Sequence, residues 1–208
     1  MTAAIEESEE EINRRHNEKM ARRKAARAKM LATKTEERGL LIVHTGTGKG
    51  KSTAAFGMVF RCIGHGMRVG IVQFVKGAWS TGERIVLEKF PGLVTCKAMG
   101  EGFTWETQDR ARDIAAARAA WETAKAMIAD PGYRLVLLDE LNIVLRYDYL
   151  PLGEVIETLR AKPRDLHLVV TGRNAKPELI EIADLVTEMT LVKHPFRSGV
   201  KAQAGIEF

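Results

Sequence analysis

The stretch LLIVHTGTGKGKSTAAFG, from Leu40 to Gly57, constrains the fold of this chain more than any other. Its first part, LLIVHT, is a continuous apolar run of the kind found in strands that are buried on both faces of a parallel sheet. A glycine-rich turn follows, and STAAFGMVFRCIGHG then has the composition of a helix closed by glycine. A buried strand, a glycine-rich loop and a helix in this order predict an α/β fold.

The rest of the chain repeats the alternation of strands and helices. Predicted strands are RVGIVQFV, LVTCKA, YRLVLLDE, LHLVVTG and LVTEMTLV, and predicted helices are PLGEVIETLRAK and KPELIEIA. Between Thr107 and Asp130 apolar residues recur at three- and four-residue steps, which predicts a long amphipathic helix. Short connections between these elements imply a mostly parallel sheet with helices on both faces.

The loop itself is close to the pattern G-x-x-x-x-G-K-[ST], in which converging backbone N–H groups hold phosphate oxygens at the start of a helix. A threonine stands where this pattern has its first glycine, and Lys49 adds a second cation before Lys51. The setting between strand and helix favours a nucleotide loop, in a RecA-like P-loop fold, over a plain glycine-rich turn. We expect phosphates to bind nine consecutive residues: Thr45, Gly46, Thr47, Gly48, Lys49, Gly50, Lys51, Ser52 and Thr53.

Two carboxylates, Asp139 and Glu140, end the predicted strand YRLVLLDE. Alone, this pair is equally well explained by an exposed turn. Ligands of α/β folds bind at the carboxyl ends of strands, and the Ser52 hydroxyl after the loop is a typical magnesium ligand. Ser52, Glu140 and Asp139 are therefore the candidate metal ligands. No base-recognition or kinase motif accompanies them, so the residues indicate nucleotide binding without fixing the reaction.

The chain has 208 residues and a net charge of +5, most of it concentrated near the start. Between Ile12 and Lys34 nine lysines and arginines accompany one acid, Glu18, which gives this segment +8 and leaves the remainder slightly acidic. The segment has no aromatic residue to stack on a base, so a solvated basic helix or frayed tail is favoured over a nucleic-acid arm. We expect residues 1–38 to form a mobile basic segment that acts as an active-site lid, and residues 39–208 to form the nucleotide-binding catalytic domain.

The two cysteines, Cys62 and Cys96, lie far apart without C-x-x-C spacing, which supports neither a disulfide framework nor a zinc knuckle. No run approaches the roughly 18 apolar residues that a membrane span needs. The first residues include glutamates where a secretory signal would be basic and then apolar. The sequence therefore predicts a cytoplasmic protein with no membrane partner.

Seven blocks together resemble the P-loop family of corrinoid adenosyltransferases, which act on cob(I)alamin or cob(I)yrinic acid a,c-diamide. These blocks are GTGKGKSTAAFG, GHGMRVGIVQFVKG, GFTWETQ, VLLDELN, YDYLPLGEVI, VVTGR and VKAQAGIEF. The resemblance runs in order from about Gly39 to Phe208, and GFTWETQ and the closing block belong to no general P-loop signature. It implies a homodimeric enzyme that transfers the 5′-deoxyadenosyl group of ATP to the cobalt of a reduced corrinoid and releases triphosphate.

The resemblance also implies roles for individual residues. The triphosphate lies reversed in the loop, where Lys49, Lys51, Ser52 and the loop amides stabilise it as the leaving group. Glu140 is expected to be the closer ligand of Mg²⁺ or Mn²⁺ and Asp139 the second. The family loop has the same form as this one, so its threonine is no defect. Lys51 and Glu140 are accordingly the expected catalytic residues on the phosphate side.

On the corrinoid side the resemblance assigns a catalytic role to Phe103 and Trp105, which would wedge beneath the corrin and exclude the axial ligand of cobalt. The alternative is that both aromatics form a hydrophobic staple at the start of the long helix. A reduced flavin or flavoprotein is implied as electron donor, and the N-terminal helix as a cover for the corrinoid.

Two rival interpretations come from other functional classes. A P-loop phosphotransferase or ATPase would release diphosphate or orthophosphate rather than triphosphate. The interpretation as a nucleotide-dependent nucleic-acid binder is supported by the basic segment alone, and we expect no nucleic-acid partner.

Overall fold

The computed structural model describes residues 8–75, 81–99 and 109–207. Contacts within the chain divide it into two compact units, Met1–Glu37 and Arg38–Phe208. This division lies one residue from the predicted boundary between the basic segment and the nucleotide-binding domain. The lid function and the mobility of the basic segment stay predictions.

The first unit contains one long helix, α1 (Glu9–Ala32). Its start is fixed by a capping box: the Glu11 amide donates to the Ser8 hydroxyl at 3.3 Å, and the Ser8 amide donates to the Glu11 carboxylate at 3.3 Å. Three consecutive glutamates, Glu9 to Glu11, occupy the first turn, where the helix dipole favours negative charge. The basic segment was expected to be either a solvated helix or a frayed tail, and the structure shows a helix.

The second unit alternates strands and helices from end to end. Its elements are β1 (Leu41–Thr45), α2 (Lys51–Gly64), β2 (Val69–Gln73), α3 (Gly82–Leu87), β3 (Val94–Ala98), α4 (Arg110–Ala129), β4 (Leu135–Asp139), α5 (Leu141–Arg146), α6 (Leu152–Arg160), β5 (His167–Thr171), α7 (Pro177–Ile182), β6 (Leu185–Glu188) and a 3₁₀ turn (Pro195–Ser198). Each predicted strand is present. The helices predicted after the loop, before β4, before β5 and before β6 are present as well.

The six strands form one sheet in the order β3-β2-β4-β5-β1-β6, and every neighbouring pair is parallel. The predicted α/β fold with a parallel sheet is confirmed. Strand β5 lies between β1, which leads into the glycine-rich loop, and β4, which ends at the two carboxylates. Because parallel strands end at the same edge, the loop and the carboxylates lie together at the carboxyl edge of the sheet.

The four central strands, β1, β2, β4 and β5, are buried on both faces, because successive side chains along a strand point to opposite sides and helices cover each side. One face packs against α4, α5, α6 and α7, and its strand residues include Val43, Val72, Val136, Leu138 and Val170. The other face packs against α2 and α3, and its strand residues include Ile42, Ile71, Leu135, Leu137 and Val169. This two-sided burial explains the unbroken apolar runs of the sequence.

Three details of the second unit differ from the sequence prediction. The long helix is Arg110–Ala129 rather than 107–130. The last strand stops at Glu188, which pairs with Thr45, the last residue of β1, so β6 ends where its neighbouring strand ends. The short helices α3 and α5 were not predicted. Among the described residues no helix is long and apolar enough to cross a membrane.

Candidate active site

The glycine-rich loop connects β1 to α2 and is held by the end of β6. The Gly48 amide donates to the Met189 carbonyl at 2.6 Å, and the Met189 amide donates to the Thr45 carbonyl at 2.9 Å. A Cβ on Gly48 would lie 2.6 Å from the Thr190 carbonyl oxygen. Gly50, the last residue before α2, has φ of 103°, a left-handed conformation that favours glycine. These positions explain why the loop needs glycines where the sequence has them.

Thr45, the departure from the usual pattern, takes part in the structure of the site. Its hydroxyl accepts a hydrogen bond of 3.0 Å from the Ala175 amide, at the start of the segment that leads into α7. It is not among the residues with positive φ, so a side chain is tolerated there. A glycine at this position would lose the link between the loop and the residues after β5.

Lys51 is the first residue of α2 and is only 6% exposed. Its ammonium donates to the Gly48 carbonyl, and its own carbonyl lies 3.2 Å from the His44 ring Nδ1. Burial lowers the pKa of Lys51; the Glu140 carboxylate opposes this, while the Arg173 and Lys49 charges lower the pKa further. A poorly hydrated ammonium at the start of a helix is a strong site for an anion.

Lys49 is half exposed and forms an ion pair with Glu207, close to the end of the chain. The Glu207 amide donates to the Gln203 carbonyl at 2.9 Å, so the carboxylate is presented from a hydrogen-bonded turn. Glu207 was not among the predicted site residues. The signal for it was present, because the closing block VKAQAGIEF is part of the family resemblance.

Asp139 is fully buried at the end of β4 and accepts hydrogen bonds from three side chains. The Ser52 hydroxyl donates to its Oδ1 at 2.7 Å and the Thr171 hydroxyl to the same oxygen at 2.8 Å. The Gln73 side-chain amide donates to its Oδ2 at 3.1 Å. Asp139 therefore joins the ends of β2, β4 and β5 to the start of α2.

Glu140 follows directly and adopts a left-handed backbone with φ of 65°, which is uncommon for a residue with a side chain. Its amide donates to the Thr171 hydroxyl at 2.9 Å, which fixes this conformation. Gly172 lies against its carboxylate, since a Cβ at Gly172 would be 3.2 Å from Glu140 Oε2. Thr171 and Gly172 were not predicted as site residues.

Asn142 and Arg173 are two further polar residues beside the carboxylates. The Asn142 side-chain amide donates to the Gly172 carbonyl at 3.0 Å, while its Oδ1 is buried without a hydrogen-bond partner in the described part of the chain. The Arg173 charge acts on Lys51, as its effect on the Lys51 pKa shows. Both residues belong to blocks that carry the family resemblance, VLLDELN and VVTGR, but no sequence pattern distinguishes them from their neighbours.

The structure brings the predicted loop, Asp139 and Glu140 to one edge of the sheet. Phe103 and Trp105, the predicted corrinoid residues, lie outside the described residues. The hydroxyl of Ser52, the two carboxylates and the orphaned amide oxygen of Asn142 are hard oxygen donors of the kind that Mg²⁺ and Mn²⁺ prefer. Within the described ranges no group of three His, Cys, Asp or Glu side chains could hold a metal. Such a donor set suits an ion held jointly by one or two carboxylates and substrate phosphates.

Comparison with known proteins gives the family. Residues 37–208 match the family described as ATP:corrinoid adenosyltransferase BtuR/CobO/CobP, and residues 6–31 match the N-terminal region of cob(I)alamin adenosyltransferase. The chain belongs to this family. A corrinoid adenosyltransferase from Sinorhizobium is 60% identical over 210 residues, covering 100% of this chain and 98% of the relative. One from Pseudomonas aeruginosa is 57% identical, covering 95% and 98%.

A more distant relative, the corrinoid adenosyltransferase CobA of Salmonella typhimurium, is 51% identical and covers 86% of this chain and 90% of its own. These relatives agree in one activity along nearly their whole length. The chain is thus an ATP-dependent corrinoid adenosyltransferase of cobalamin biosynthesis, as the sequence predicted. ATP and a corrinoid are its substrates.

Proposed function

We propose that the enzyme transfers the 5′-deoxyadenosyl group of ATP to the cobalt of a reduced corrinoid, and that triphosphate leaves from the glycine-rich loop. The observation that carries this proposal is the set of cations at one end of the loop: buried Lys51, with the charges of Lys49 and Arg173 acting on it. Reduced cobalt is itself a strong nucleophile, so the protein's task is to stabilise negative charge on the departing group.

The roles of the individual side chains follow from their contacts. The loop amides and Lys51 are placed to bind phosphate oxygens at the start of α2, and Lys49 adds a cation at the exposed side. Arg173 is a third cation, which can bind a phosphate with two parallel hydrogen bonds. In this arrangement the bond to be broken lies between carbon and oxygen at the ribose 5′ position.

A divalent cation fits the oxygen donors beside the loop. Ser52 and Glu140 would hold it directly, while Asp139, whose oxygens already accept three side-chain hydrogen bonds, would act as the second carboxylate and orient Ser52. When bound, Mg²⁺ or Mn²⁺ supplies positive charge to the triphosphate oxygens. The single hydroxyl of Thr171 donates to the Asp139 carboxylate and accepts from the backbone amide of Glu140, so it positions both residues.

The remaining parts of the proposal concern the corrinoid. Phe103 and Trp105 exclude the axial ligand of cobalt and so ease its reduction, with a reduced flavin or flavoprotein as electron donor. α1 covers the corrinoid, and the enzyme acts as a homodimer. The two free cysteines suit a reducing compartment, so we place the reaction in the cytoplasm.

The deciding experiment is an anaerobic incubation of the enzyme with ATP and chemically reduced corrinoid. We expect a light-sensitive cobalt–carbon bond in the visible spectrum and one free triphosphate per bond formed. Release of diphosphate or orthophosphate in step with turnover would instead favour a P-loop phosphotransferase or ATPase and reject the proposed bond cleavage.

A further inference from the structure

Residues 190–207, which follow the last strand, lie on the surface of the second unit. None of them is buried, and none belongs to either hydrophobic cluster or packs against one. The apolar side chains of Val192 and Phe196 are 93% and 76% exposed. The backbone hydrogen bonds of the segment close turns within it, such as the 2.9 Å bond from the Glu207 amide to the Gln203 carbonyl. Burial of apolar surface therefore does not hold the segment in place.

One polar contact joins this segment to the glycine-rich loop. The Glu207 carboxylate is ion-paired with the Lys49 ammonium, and it is the less exposed partner, 19% against 50%. Among the hydrogen bonds and ion pairs in the described part of the chain, this pair is the single one between residues 190–207 and the rest of the molecule. Glu207 is therefore the residue that ties the segment to the loop.

Lys49 is also a proposed phosphate ligand, so two kinds of anion compete for one ammonium. A carboxylate and a phosphate both accept charge-assisted hydrogen bonds from it. An ion pair between partly exposed side chains contributes little free energy and is readily exchanged. A carboxylate beside the loop also repels the phosphates directly, because both carry negative charge. Both effects weaken the binding of a phosphate chain at the loop.

We propose that Glu207 competes with the triphosphate group for Lys49 and thereby favours release of the product. Free triphosphate carries more negative charge than the same chain in ATP, because the oxygen released from the ribose carbon keeps the electron pair of the broken bond. The Glu207 charge therefore disfavours triphosphate more than it disfavours ATP. When a phosphate chain binds Lys49, Glu207 is displaced and residues 190–207 lose their tie to the loop. This inference rests on the proposed function, in which triphosphate leaves from the loop.

The test measures the affinity for inorganic triphosphate and for ATP by calorimetry, at fixed magnesium, in the unaltered enzyme and in Glu207→Gln. We expect Kd for triphosphate to fall roughly threefold to tenfold in the variant, and Kd for ATP to fall less. Added salt should shrink both changes. Glu207→Asp keeps the charge on a shorter side chain and should lie between the two.

Glu188→Gln is the matched control. It removes an exposed acid at the end of β6, where Glu188 pairs with Thr45 in the sheet, and so changes the charge near the loop without touching the ion pair. Because an exposed charge is screened by solvent and salt, this variant should change either Kd less than about twofold.

Two further measurements show whether the effect acts through Lys49. In a Lys49→Ala background, Glu207→Gln should strengthen triphosphate binding much less than it does alone, as expected for two residues in contact. Triphosphate should also speed hydrogen exchange at the amides of residues 203–207 in the unaltered enzyme, because the turn is released from the loop. In Glu207→Gln these amides should exchange fast with or without triphosphate.

An unchanged affinity for triphosphate in Glu207→Gln would overturn the proposal. A weaker affinity would overturn it too, and would mean that Glu207 positions Lys49 for phosphate instead of competing with it. An equal gain in Glu188→Gln would show that general charge is sufficient. Release of diphosphate or orthophosphate by the unaltered enzyme would instead reject the proposed function, a result separate from these affinities.

Discussion

At the scale of single residues, the sequence was sufficient where chemistry depends on residue type in a fixed pattern. The loop, Asp139 and Glu140 could be predicted as site residues from the sequence. A strand followed by glycines, a lysine and a helix, with acids at the end of another strand, is a pattern typical of nucleotide sites. Thr171, Gly172, Asn142 and Arg173 could not be predicted, because threonine or arginine after a strand is common and only the sheet order places β5 between β1 and β4. Their role depends on which strands are neighbours, and this is a tertiary property.

Lys51→Ala removes the buried cation of the loop. We expect transition-state stabilisation to fall by about 2.7–4 kcal/mol, the usual effect of losing one strong electrostatic donor. The loss should appear in kcat/KM for ATP with either corrinoid. Lys49→Ala, at the half-exposed position, is the matched comparison and should cost less. Near-normal turnover by Lys51→Ala would contradict the assignment of the leaving group to this loop.

Thr171→Val keeps the shape of the side chain but removes the hydroxyl that bonds the Asp139 carboxylate and the Glu140 backbone amide. Because Asp139 loses a donor and the Glu140 amide loses its acceptor, we expect about 1–3 kcal/mol less stability in urea unfolding and weaker activation by magnesium. Thr171→Ser retains the hydroxyl and should recover most of the activation. Identical magnesium curves for the two variants would show that Thr171 is only a packing residue.

The aromatics Phe103 and Trp105 can be tested separately from the phosphate site. If they ease the reduction of cobalt, alanine at either position should abolish activity that starts from cob(II) with a flavin donor. The same variants should keep much of their rate with pre-reduced cob(I), whereas Lys51→Ala should fail in both assays. Each tenfold difference between the assays corresponds to about 1.4 kcal/mol on the reduction step. Equal losses in both would leave the aromatics as a hydrophobic staple.

At the scale of elements, prediction worked best where a strand or helix is determined by its own residues. The buried strands were recognisable from their apolar runs, but the end of β6 was not, since β6 stops where its neighbour β1 ends at Thr45 and this pairing is a tertiary property. The start of α1 was readable in principle. The order Ser8-x-x-Glu11 is a capping-box signature, and the high alanine and arginine content favours helix beyond it.

Asp184 connects two elements and gives a pH-dependent prediction. Its carboxylate accepts from the Arg38 guanidinium at 2.5 Å and from the Leu41 amide at 2.8 Å, and the Arg38 bond above all lowers the Asp184 pKa below its ordinary 3.8. A lowered carboxyl pKa adds stability that is present above the ordinary pKa and lost as pH falls through the folded value. Asp184→Asn should therefore cost about 1 kcal/mol near neutral pH.

That cost should disappear in acid, where the wild-type carboxyl is protonated as well. Urea unfolding at a series of pH values, with Asp165→Asn as a control for an exposed acid, measures the difference. A cost independent of pH would mean that the Asp184 charge contributes nothing and that the asparagine only packs badly.

At the scale of the whole molecule, the described residues place the hydrophobic core in the second unit, while the helix of the first unit, Glu9–Ala32, has no buried residue. Every residue of the two hydrophobic clusters, with those packed against them, lies between Leu40 and Ala183. The sequence showed this division because charge and hydrophobic pattern change together near Gly39. It could not show the function of the first unit, for which the lid over the corrinoid is our proposal.

Deletion of residues 1–37 tests that function. Since residues 8–37, the part of this segment that the structure describes, contribute nothing to the two clusters, we expect the truncated enzyme to stay folded, with a melting temperature within a few degrees of the full chain and unchanged affinity for ATP. Turnover of the corrinoid should fall, mainly through KM, because the cover over that substrate is lost. Unfolding of the truncated chain, or unchanged KM for the corrinoid, would contradict the lid hypothesis.

The end point of this deletion matters, because Arg38 forms the ion pair with Asp184 inside the second unit. Removing residue 38 as well should cost about 1 kcal/mol of stability through the lost charge-assisted hydrogen bond, yet leave the corrinoid KM where the shorter deletion put it. Thermal unfolding and corrinoid kinetics on the two truncations therefore separate the stabilising effect of Arg38 from the proposed substrate-covering role of the segment before it. If instead both properties changed only with the loss of Arg38, the effect ascribed to the N-terminal helix would belong to the core of the second unit.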